Sequence, residues 1–441
     1  MYKSGKLHSG SRVAVIGGGP AGSFFAMYLA RYSSELGMML EVDIYEPKSF
    51  AASGPKGCNR CAGILSSSLV QNLKELGLEI PESVIRNKIT TYSLHSPYGI
   101  TRVENPNPQS PIYSVYRGGG PLRFPLGCEV SLDNFLLERA RASGANLIAK
   151  SITEIHGPPR PAVVCEGKKI SYDLVVLASG VNAPNIGMVG LDYIPPRVRR
   201  MAQDELFARQ EDIVEAFGDC VRICLFPKSD LVFGSLTPKG NFINISLLGR
   251  RTTPPSIEDF LANEMVKQLL PFSYEHGCGC KPLIAVGAAG NPAADGFVAI
   301  GDASVTRLYK DGIGSALLTA REAARTVVYH GITCLDFQKN YLRFCHALEW
   351  DNTWGKVLFR LHEQIKDSRT FFLAQSRLVT EEKIHVRRQP FTQIIWGLFT
   401  GSYSYGRILK LAILPGTLIK FLGAIFTEAR GAHPSEAKKG Y

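Results

Sequence analysis

The feature that most constrains the fold is a glycine-rich turn between an apolar strand and a helix. The turn, Gly17-Gly-Gly-Pro-Ala-Gly22, follows the apolar run Arg12–Ile16 and opens a helical pattern over residues 21–34. Its first glycine permits a tight turn, its third lets the backbone approach a pyrophosphate, and its last allows the helix to pack closely on the strand. The helix N-terminus adds oriented N–H groups and a partial positive charge. The residues predicted to bind the ligand here are Gly17, Gly19, Pro20, Ala21 and Gly22.

The next predicted strand, Val42–Tyr45, ends at an acidic residue, Glu46. A carboxylate in this place can accept hydrogen bonds from a ribose hydroxyl. The turn and Glu46 together predict a dinucleotide site, but they do not distinguish FAD from NAD. A glycine-rich turn without any ligand is the alternative interpretation.

A second glycine-containing motif lies roughly 280 residues further on. Val298-Ala-Ile-Gly-Asp302 forms the end of a short apolar strand, and Asp311-Gly-Ile-Gly314 opens a helical pattern that continues to Tyr329. This pair resembles the second flavin-binding motif of the glutathione-reductase-type flavoproteins, and the resemblance implies FAD. It further implies that the aspartate binds the ribityl chain and that the helix N-terminus faces the flavin. The residues concerned are Gly301, Asp302, Gly312, Ile313 and Gly314, and a simple helix-capping role for Asp302 is the alternative.

The order of elements predicts an α/β protein with a Rossmann-type FAD-binding domain that is interrupted by a mainly antiparallel β substrate domain. We assign residues 1–88, 126–190 and 285–334 to the discontinuous FAD-binding domain and residues 89–125 and 191–284 to the substrate domain. Residues 335–441 are predicted to form a helical, basic C-terminal extension.

Three further segments resemble the geranylgeranyl reductase family: Gly57-Cys-Asn-Arg-Cys61-Ala-Gly63, residues 127–145 and residues 173–180. The resemblance implies that reduced FAD reduces isolated C=C bonds of isoprenoid or similarly apolar substrates. It also implies that Cys61, Ala62 and Gly63 lie beside the isoalloxazine ring. The chain differs from the family at Leu132, where an arginine is frequent, and near Phe226, where only the Phe-Pro end of an aromatic stretch is present.

Cys58 and Cys61 form a Cys-x-x-Cys pair and are the predicted catalytic residues. Cys61 could donate a proton to the substrate carbon or position the flavin ring. The alternatives are a redox-active dithiol, a zinc site that also contains Cys278 and Cys280, and two buried thiols in a loop. No metal is the preferred expectation, and ten cysteines in a chain without a secretory signal favour mostly reduced thiols.

Two other segments have open interpretations. Residues 117–121, Arg-Gly-Gly-Gly-Pro, are either a flexible wall of the active site or an ordinary turn. Lys310 and Asp311 either face the flavin or cap the helix that follows.

The C-terminal extension combines positive charge with apolar stretches. Residues 386–441 contain IIWGLF and LAILPGTLIKFLGAIF, neither of which is a convincing membrane-spanning helix. This composition suits a helix lying in a membrane interface, and the alternative is packing on the catalytic domain or on a second subunit. The basic residues are Arg387, Arg388, Arg407, Lys410, Lys420, Arg430, Lys438 and Lys439, against the acids Glu428 and Glu436.

The sequence thus predicts a cytoplasmic FAD-dependent reductase, peripheral to the inner face of a membrane, that acts on an apolar substrate with NAD(P)H or ferredoxin as electron donor. Nucleic acid is not an expected partner despite the net charge of +11, because no nucleic-acid-binding motif is present. An FAD monooxygenase or halogenase is the first alternative. Ser179 replaces the aspartate of related hydroxylases, and the Trp-x-Trp-x-Ile-Pro stretch of halogenases is absent. Electron transfer to quinone and a non-enzymatic flavin-binding role are the others.

Overall fold

A computed structural model describes residues 5–60, 62–183, 185–251, 253–384 and 389–431. Cys61, Arg387, Arg388, Glu436, Lys438 and Lys439 lie outside the described residues. The strands are β1 Arg12–Ile16, β2 Glu41–Tyr45, β3 Ile64–Leu65, β4 Ile85–Ile89, β5 Thr91–Ser96, β6 Gly99–Glu104, β7 Ile112–Val115, β8 Asn146–Ile148, β9 Ile152–His156, β10 Ala162–Cys165, β11 Lys168–Ser171, β12 Leu174–Leu177, β13 Gly187–Val189, β14 Val198–Phe207, β15 Cys220–Cys224, β16 Leu231–Pro238, β17 Phe242–Gly249, β18 Glu275–His276, β19 Leu283–Ala285, β20 Ala293–Ala294 and β21 Phe297–Ala299.

Six of the described helices are capped at the N-terminus by the side chain of Ser66, Ser131, Ser256, Asn263, Thr333 or Ser404. The helices are α1 Pro20–Glu35, α2 Ser67–Leu73, α3 Leu132–Ala142, α4 Gln210–Phe217, α5 Ile257–Ala262, α6 Glu264–Leu269, α7 Gly312–Tyr329, α8 Cys334–Lys339, α9 Tyr341–Asp367, α10 Arg369–Ile384, α11 Pro390–Thr400, α12 Tyr405–Ala412 and α13 Pro415–Gly431.

The half of the structure that begins with β1 and α1 is built on a six-stranded sheet in the order β20-β21-β12-β1-β2-β8. β21, β12, β1, β2 and β8 are parallel, and β20 is antiparallel to β21. Parallel strands are usually covered on both faces, which explains the continuous apolar runs of β1 and β12. α1, α3 and α7 contribute to the core on one face, and the small sheet β11-β10-β9-β13 covers the other. The predicted α/β fold with a Rossmann-type sheet is therefore confirmed.

The second half is built on an eight-stranded, mainly antiparallel sheet, in which β18-β14-β17-β16-β15-β5-β6 follow one another and β19 also pairs with β14. The predicted turn at residues 237–241 joins β16 to β17, as expected. Strand alternation gives the sheet two different faces. On β14, Ala202 and Leu206 pack towards α4–α6, whereas Met201 and Gln203 face a cavity.

The C-terminal helices pack on the cavity side of this sheet. α11 is almost entirely buried, and the ring of its Trp396 meets Tyr92 of β5 edge to face at 5.4 Å. The IIWGLF segment therefore packs on the eight-stranded sheet, which agrees with the alternative of packing on the protein rather than on a membrane. Within the described residues, no single helix is long and apolar enough to cross a membrane; α12 and α13 together reach that length and composition, but with a bend of 65° between them.

Candidate active site

One cavity extends from the glycine turn of β1–α1 to the face of the eight-stranded sheet and ends below α11. Its nucleotide end is lined by Gly17, Gly19, Pro20, Ala21, Glu46, Asp302, Gly312 and Ile313. The two predicted motifs, which are far apart in sequence, therefore form one wall because β1 and β21 both flank β12 in the parallel sheet. Gly22, Gly63, Gly301 and Gly314, which were also predicted to bind the cofactor, lie behind this wall.

The glycines of the first turn are needed for different steric reasons. A Cβ on Gly17, whose φ is +109°, would stand 2.6 Å from the carbonyl oxygen of Ala178, and one on Gly22 would stand 1.9 Å from that of Gly17. The chain's own packing therefore requires both glycines. At Gly19, by contrast, only the side-chain nitrogen of Asn59 lies nearby, at 3.4 Å. The open side of Gly19 faces the cavity, which is the close approach that a pyrophosphate needs.

Glu46 lies over the same turn. Its carboxylate accepts hydrogen bonds from the backbone N–H groups of Gly18 at 2.9 Å and Lys48 at 3.0 Å. Burial raises the pKa of this carboxyl, and the two hydrogen bonds oppose the rise. The geometry places an acceptor at the end of β2, beside the cavity, as the sequence predicts.

The second motif packs directly against the first. Gly301 has φ of +60°, and a Cβ there would stand 2.8 Å from that of Ala21, so only glycine brings the two turns so close. Asp302 lines the cavity, and burial raises the pKa of its carboxyl. The N-terminus of α7 opens on the same wall through Gly312 and Ile313. Asp311 accepts a hydrogen bond from Ser66 at 2.7 Å and lies 3.6 Å from Arg307.

The sequence did not single out the polar group that faces the glycine turn from the opposite side. Arg117 and Asn59 both line the cavity, and both are held by the fully buried Asp133 of α3. Lys48 donates to the side-chain oxygen of Asn59 at 3.1 Å. A buried carboxylate thus orients an arginine and an amide towards the place predicted for a pyrophosphate. The only sequence signal was the position of Arg117 next to a glycine run.

Of the two interpretations of the glycine run, its packing favours an ordinary turn. Residues 118–120 are buried, and a Cβ on Gly118 would stand 2.8 Å from the backbone nitrogen of Cys58. Gly120 has φ of +99° and packs on Leu126. The run leads from Arg117 into close contact with the Cys58 loop, which is the packing of an ordinary turn.

The Cys-x-x-Cys segment is described only in part, because Cys61 lies outside the described residues. The sulfur of Cys58 accepts a hydrogen bond from the N–H of Arg60 at 3.1 Å, and burial raises the pKa of the Cys58 thiol. Such a thiol stays protonated near neutral pH, which disfavours a thiolate role for Cys58. Ala62 lines the cavity, whereas Gly63 packs its α-carbon against the Val115 carbonyl, where a Cβ would stand at 2.0 Å.

Behind Gly63 lies a buried ion pair. Lys239 is fully buried, its Nζ is 3.2 Å from Glu205, and it lies 4.8 Å from the centre of the Tyr116 ring. Asn244 also donates to Glu205, at 3.0 Å. These contacts join the substrate sheet to the loop that contains Ala62 and Gly63.

The far end of the cavity is an apolar chamber. We use this name for the part lined by Ile64, Tyr92, Met201, Val221, Ile223, Phe233, Ile284 and Phe399. Four polar residues of the same sheet also line the cavity: Gln203, Ser235, Thr237 and Ser246. A ligand that enters the chamber would therefore exchange water for mostly apolar surface.

Lys310 is the cation of this chamber. Its Nζ lies 4.3 Å from the ring centre of Phe233 and 5.4 Å from that of Phe399. Burial lowers the pKa of Lys310 to about 7, and no carboxylate in the described part of the chain opposes this shift. His362, whose ring meets Phe399 at 5.3 Å, has a pKa of about 4 because it is buried beside Lys366 and Lys310. Of the two sequence interpretations, Lys310 therefore faces the cavity, and it does not cap α7.

The thiols give no metal site in the described residues. Nine of the ten cysteines are described and all nine are free. No group of three or more His, Cys, Asp or Glu side chains among the described residues could hold a metal ion. The zinc alternative also needed Cys61, which is not described.

Neither a known protein-family profile nor a curated protein sequence matches the chain. Solved structures do match. The flavin-dependent brominase Bmp2 aligns with a TM-score of 0.58 and 13% identity over 96% of this chain and 100% of that chain. A flavoprotein/dehydrogenase from Cytophaga hutchinsonii aligns with a TM-score of 0.59 and 16% identity over 96% and 100%.

The chain has the fold of an FAD-dependent flavoprotein. The flavin-dependent halogenase CmlS belongs to the same set of matches, with a TM-score of 0.58 and 17% identity over 92% of this chain and 77% of that chain. At such identities the likeness establishes the fold and does not identify a substrate. The flavoprotein fold accounts for both glycine motifs on one cavity wall, for the open side of Gly19 and for the carboxylates of Glu46 and Asp302.

Proposed function

We propose that this chain is an FAD-dependent oxidoreductase that reduces a carbon–carbon double bond of an isoprenoid or another apolar lipid substrate. The observation that carries the proposal is the continuity of one cavity from the nucleotide-binding motifs to the apolar chamber. A flavin held by the two motifs would have its ring end directed to that chamber. An apolar chain is the ligand class that such a lining favours.

The residues present fit FAD. The backbone at Gly19 and the N-terminus of α1 would hold the pyrophosphate, with Arg117 opposite, and Glu46 would accept from the adenosine ribose. Asp302 would bind the ribityl chain, and the N-terminus of α7 would face the pyrimidine edge. When bound and reduced, FAD supplies the hydride for the double bond.

Lys310 is the residue that we propose as proton donor. One alkene carbon receives the hydride and the other receives a proton from Nζ, so that Lys310 is left neutral and is reprotonated from solvent. A pKa of about 7 suits an acid that works near neutral pH. The apolar walls exclude water from the reacting carbons. Cys61 remains the second candidate for this proton.

The electron donor is proposed to be NAD(P)H or ferredoxin. The chain has one dinucleotide motif of the strand–turn–helix type, which FAD would occupy, so NAD(P)H would bind transiently. A net charge of +11 favours an acidic protein partner as well. An apolar lipid substrate further favours attachment of the chain to a membrane surface.

Anaerobic photoreduction of the purified protein, followed by geranylgeranyl lipids and mass spectrometry of the products, tests the proposal. We expect reoxidation of the flavin and a product heavier by two hydrogen atoms. Purified protein that neither contains nor takes up flavin would contradict the proposal at its base.

An FAD monooxygenase or halogenase is the second candidate, because flavin-dependent halogenases are among the solved structures that match the chain. This function requires oxygen. Substrate-dependent oxygen uptake, with a product that has gained an oxygen or halogen atom, would favour it over the reductase.

A further inference from the structure

The second half of the C-terminal extension presents an apolar surface to solvent. We define the outer face of α13 as four large apolar side chains that are each 44–70% exposed: Leu418, Ile419, Leu422 and Phe426. Leu418 and Ile419 lie four and three residues before Leu422, and Phe426 lies four residues after it, so the four form one stripe along the helix. Ile413 and Leu414, which are also exposed, lie just before the helix. Single apolar side chains scattered over a surface need no explanation, but the four of the outer face are contiguous along one side of the helix.

The opposite side of α13 is fixed to the protein. Thr417 and Ala424 are buried, and the ring of Phe421 lies 6.3 Å from Phe371 of α10 and 6.2 Å from Phe391 of α11. α13 is therefore packed on the protein through one side, and this packing fixes the outer face towards solvent.

The charged residues of α12 and α13 are mainly basic. Residues 404–431 contain four basic residues, Arg407, Lys410, Lys420 and Arg430, and one acid, Glu428. Glu428 is already 3.8 Å from Arg377 of α10. The guanidinium of Arg430 lies 4.0 Å from the ring centre of Phe426, which extends the apolar surface and keeps the charge at its edge.

We propose that the outer face of α13 docks on a bilayer that contains anionic lipid, with α13 lying in the plane of the interface. Apolar side chains would enter the acyl boundary, and the flanking cations would meet the headgroups. A helix of 17 residues is about 25 Å long and about 10 Å wide, so its face offers about 250 Å². That is well below the roughly 800 Å² per partner of a stable protein interface.

The same surface suggests how substrate would enter, and this step rests on the proposed apolar substrate. α13 packs through Phe421 on α11, and α11 contributes Phe399 to the wall of the apolar chamber. Docking would place α11, which covers the apolar chamber, next to the bilayer, so a lipid tail would not have to cross water.

Vesicle flotation of the full-length holoenzyme tests the surface. We expect binding to vesicles of phosphatidylcholine with 30% phosphatidylglycerol, about tenfold weaker binding to pure phosphatidylcholine, and weakening by salt. The variant Ile419→Asp/Leu422→Asp should lose flotation, and Lys420→Glu/Arg430→Glu should lower the affinity for the anionic vesicles about tenfold or more. Val214→Asp, on α4, replaces another exposed apolar side chain and should float like the wild type.

Flavin content and thermal unfolding of each variant confirm that it is folded, because both aspartate substitutions are at exposed positions. A wild type that binds neither vesicle, or a wild-type dimer in light scattering that Ile419→Asp/Leu422→Asp converts to a monomer, would overturn the proposal. Reduction of a short, detergent-solubilised isoprenoid serves as the separate readout. If the isoprenoid is reduced but the protein does not bind vesicles, the docking proposal is wrong and the proposed reductase function stands. If the protein binds vesicles but does not reduce the isoprenoid, the reductase proposal is wrong and the docking proposal stands.

Discussion

At Gly19, a single hydrogen in place of a side chain keeps the nucleotide end of the cavity open. The residue has φ of −65°, which any amino acid tolerates, and among the described residues outside its own helix only Asn59 comes within 4 Å of a Cβ placed there. Gly19→Leu should therefore leave the protein folded but weaken FAD binding by about tenfold or more, because the side chain would occupy the place of the pyrophosphate. The flavin-to-protein absorbance ratio and a titration with FAD measure this effect.

Gly22→Leu is the matched substitution three residues later. Its side chain would collide with the Gly17 carbonyl and not with a ligand, so we expect loss of soluble, folded protein. Equal flavin content in wild type and Gly19→Leu would show that the ligand does not pass this turn.

Burial of Lys310 should make the stability of the folded protein depend on pH. The folded-state pKa of about 7 is depressed from 10.5, so the charged form is disfavoured in the folded protein. The folding penalty is complete below pH 7 and disappears as the pH rises towards 10.5, where the unfolded chain also loses its proton. Lys310→Met should therefore be stabilised relative to wild type at pH 6, and the difference in Tm should shrink towards pH 10.

The same substitution tests the proposed proton donor. A general acid typically contributes about a hundredfold or more, so Lys310→Met should lower kcat by about that factor while the flavin stays bound. The wild-type rate should fall above pH 7, and the variant should lack this limb of the pH profile. Stopped-flow reoxidation of the photoreduced flavin from pH 5.5 to 9 makes the comparison. An unchanged limb in Lys310→Met would move the role to another residue, with Cys61→Ser as the next variant.

At the scale of elements, α11 forms the roof of the apolar chamber and supports its walls. Trp396 is 1% exposed and packs on Tyr92, while Phe399 of the same helix lines the chamber. Trp396→Ala should lower the free energy of unfolding by about 3–5 kcal/mol, since it leaves a large cavity. It should also raise KM for the lipid more than it changes FAD affinity, because Trp396 packs on Tyr92 of the eight-stranded sheet and not on either nucleotide motif.

Denaturant unfolding and a flavin titration of Trp396→Ala separate these effects. Trp350→Ala is the control, since the Trp350 side chain is 64% exposed and substitution there should cost little. If Trp396→Ala lowered FAD affinity as much as it raised KM for the lipid, α11 would support the whole cavity and not only its substrate end.

The elements differ in how far the sequence predicts them. β1, the turn and α1 follow from apolar runs and glycines, because the whole pattern lies in one continuous segment of the sequence. The function of Arg117 and Asn59 depends on the buried Asp133 of a distant helix, so no local pattern contains it. The orientation of Lys310 likewise depends on Phe233 and Phe399, which the fold brings together from β16 and α11. In the same way, half of the apolar C-terminal extension packs inward as α11, and half stays exposed on α13.

On the scale of the whole molecule, the cavity is lined by segments that lie far apart in the sequence. Its walls come from β1–α1, from the segment before α7, from the substrate sheet and from α11. A ligand that spans these walls binds the folded state and not the unfolded chain. FAD should therefore stabilise the protein by about 2.7 kcal/mol at a free concentration one hundredfold above its Kd.

Removal of the flavin and its stepwise return, followed by differential scanning fluorimetry, measures this linkage. We expect Tm to rise with the logarithm of the FAD concentration above Kd, and ADP, which reaches only the glycine turn and Glu46, to give a smaller rise. Gly19→Leu should lose the response to both ligands at concentrations that saturate the wild type. If ADP alone reproduced the full effect of FAD, the Asp302 and α7 wall would take no part in binding, and the assignment of the second motif to the flavin half would be wrong.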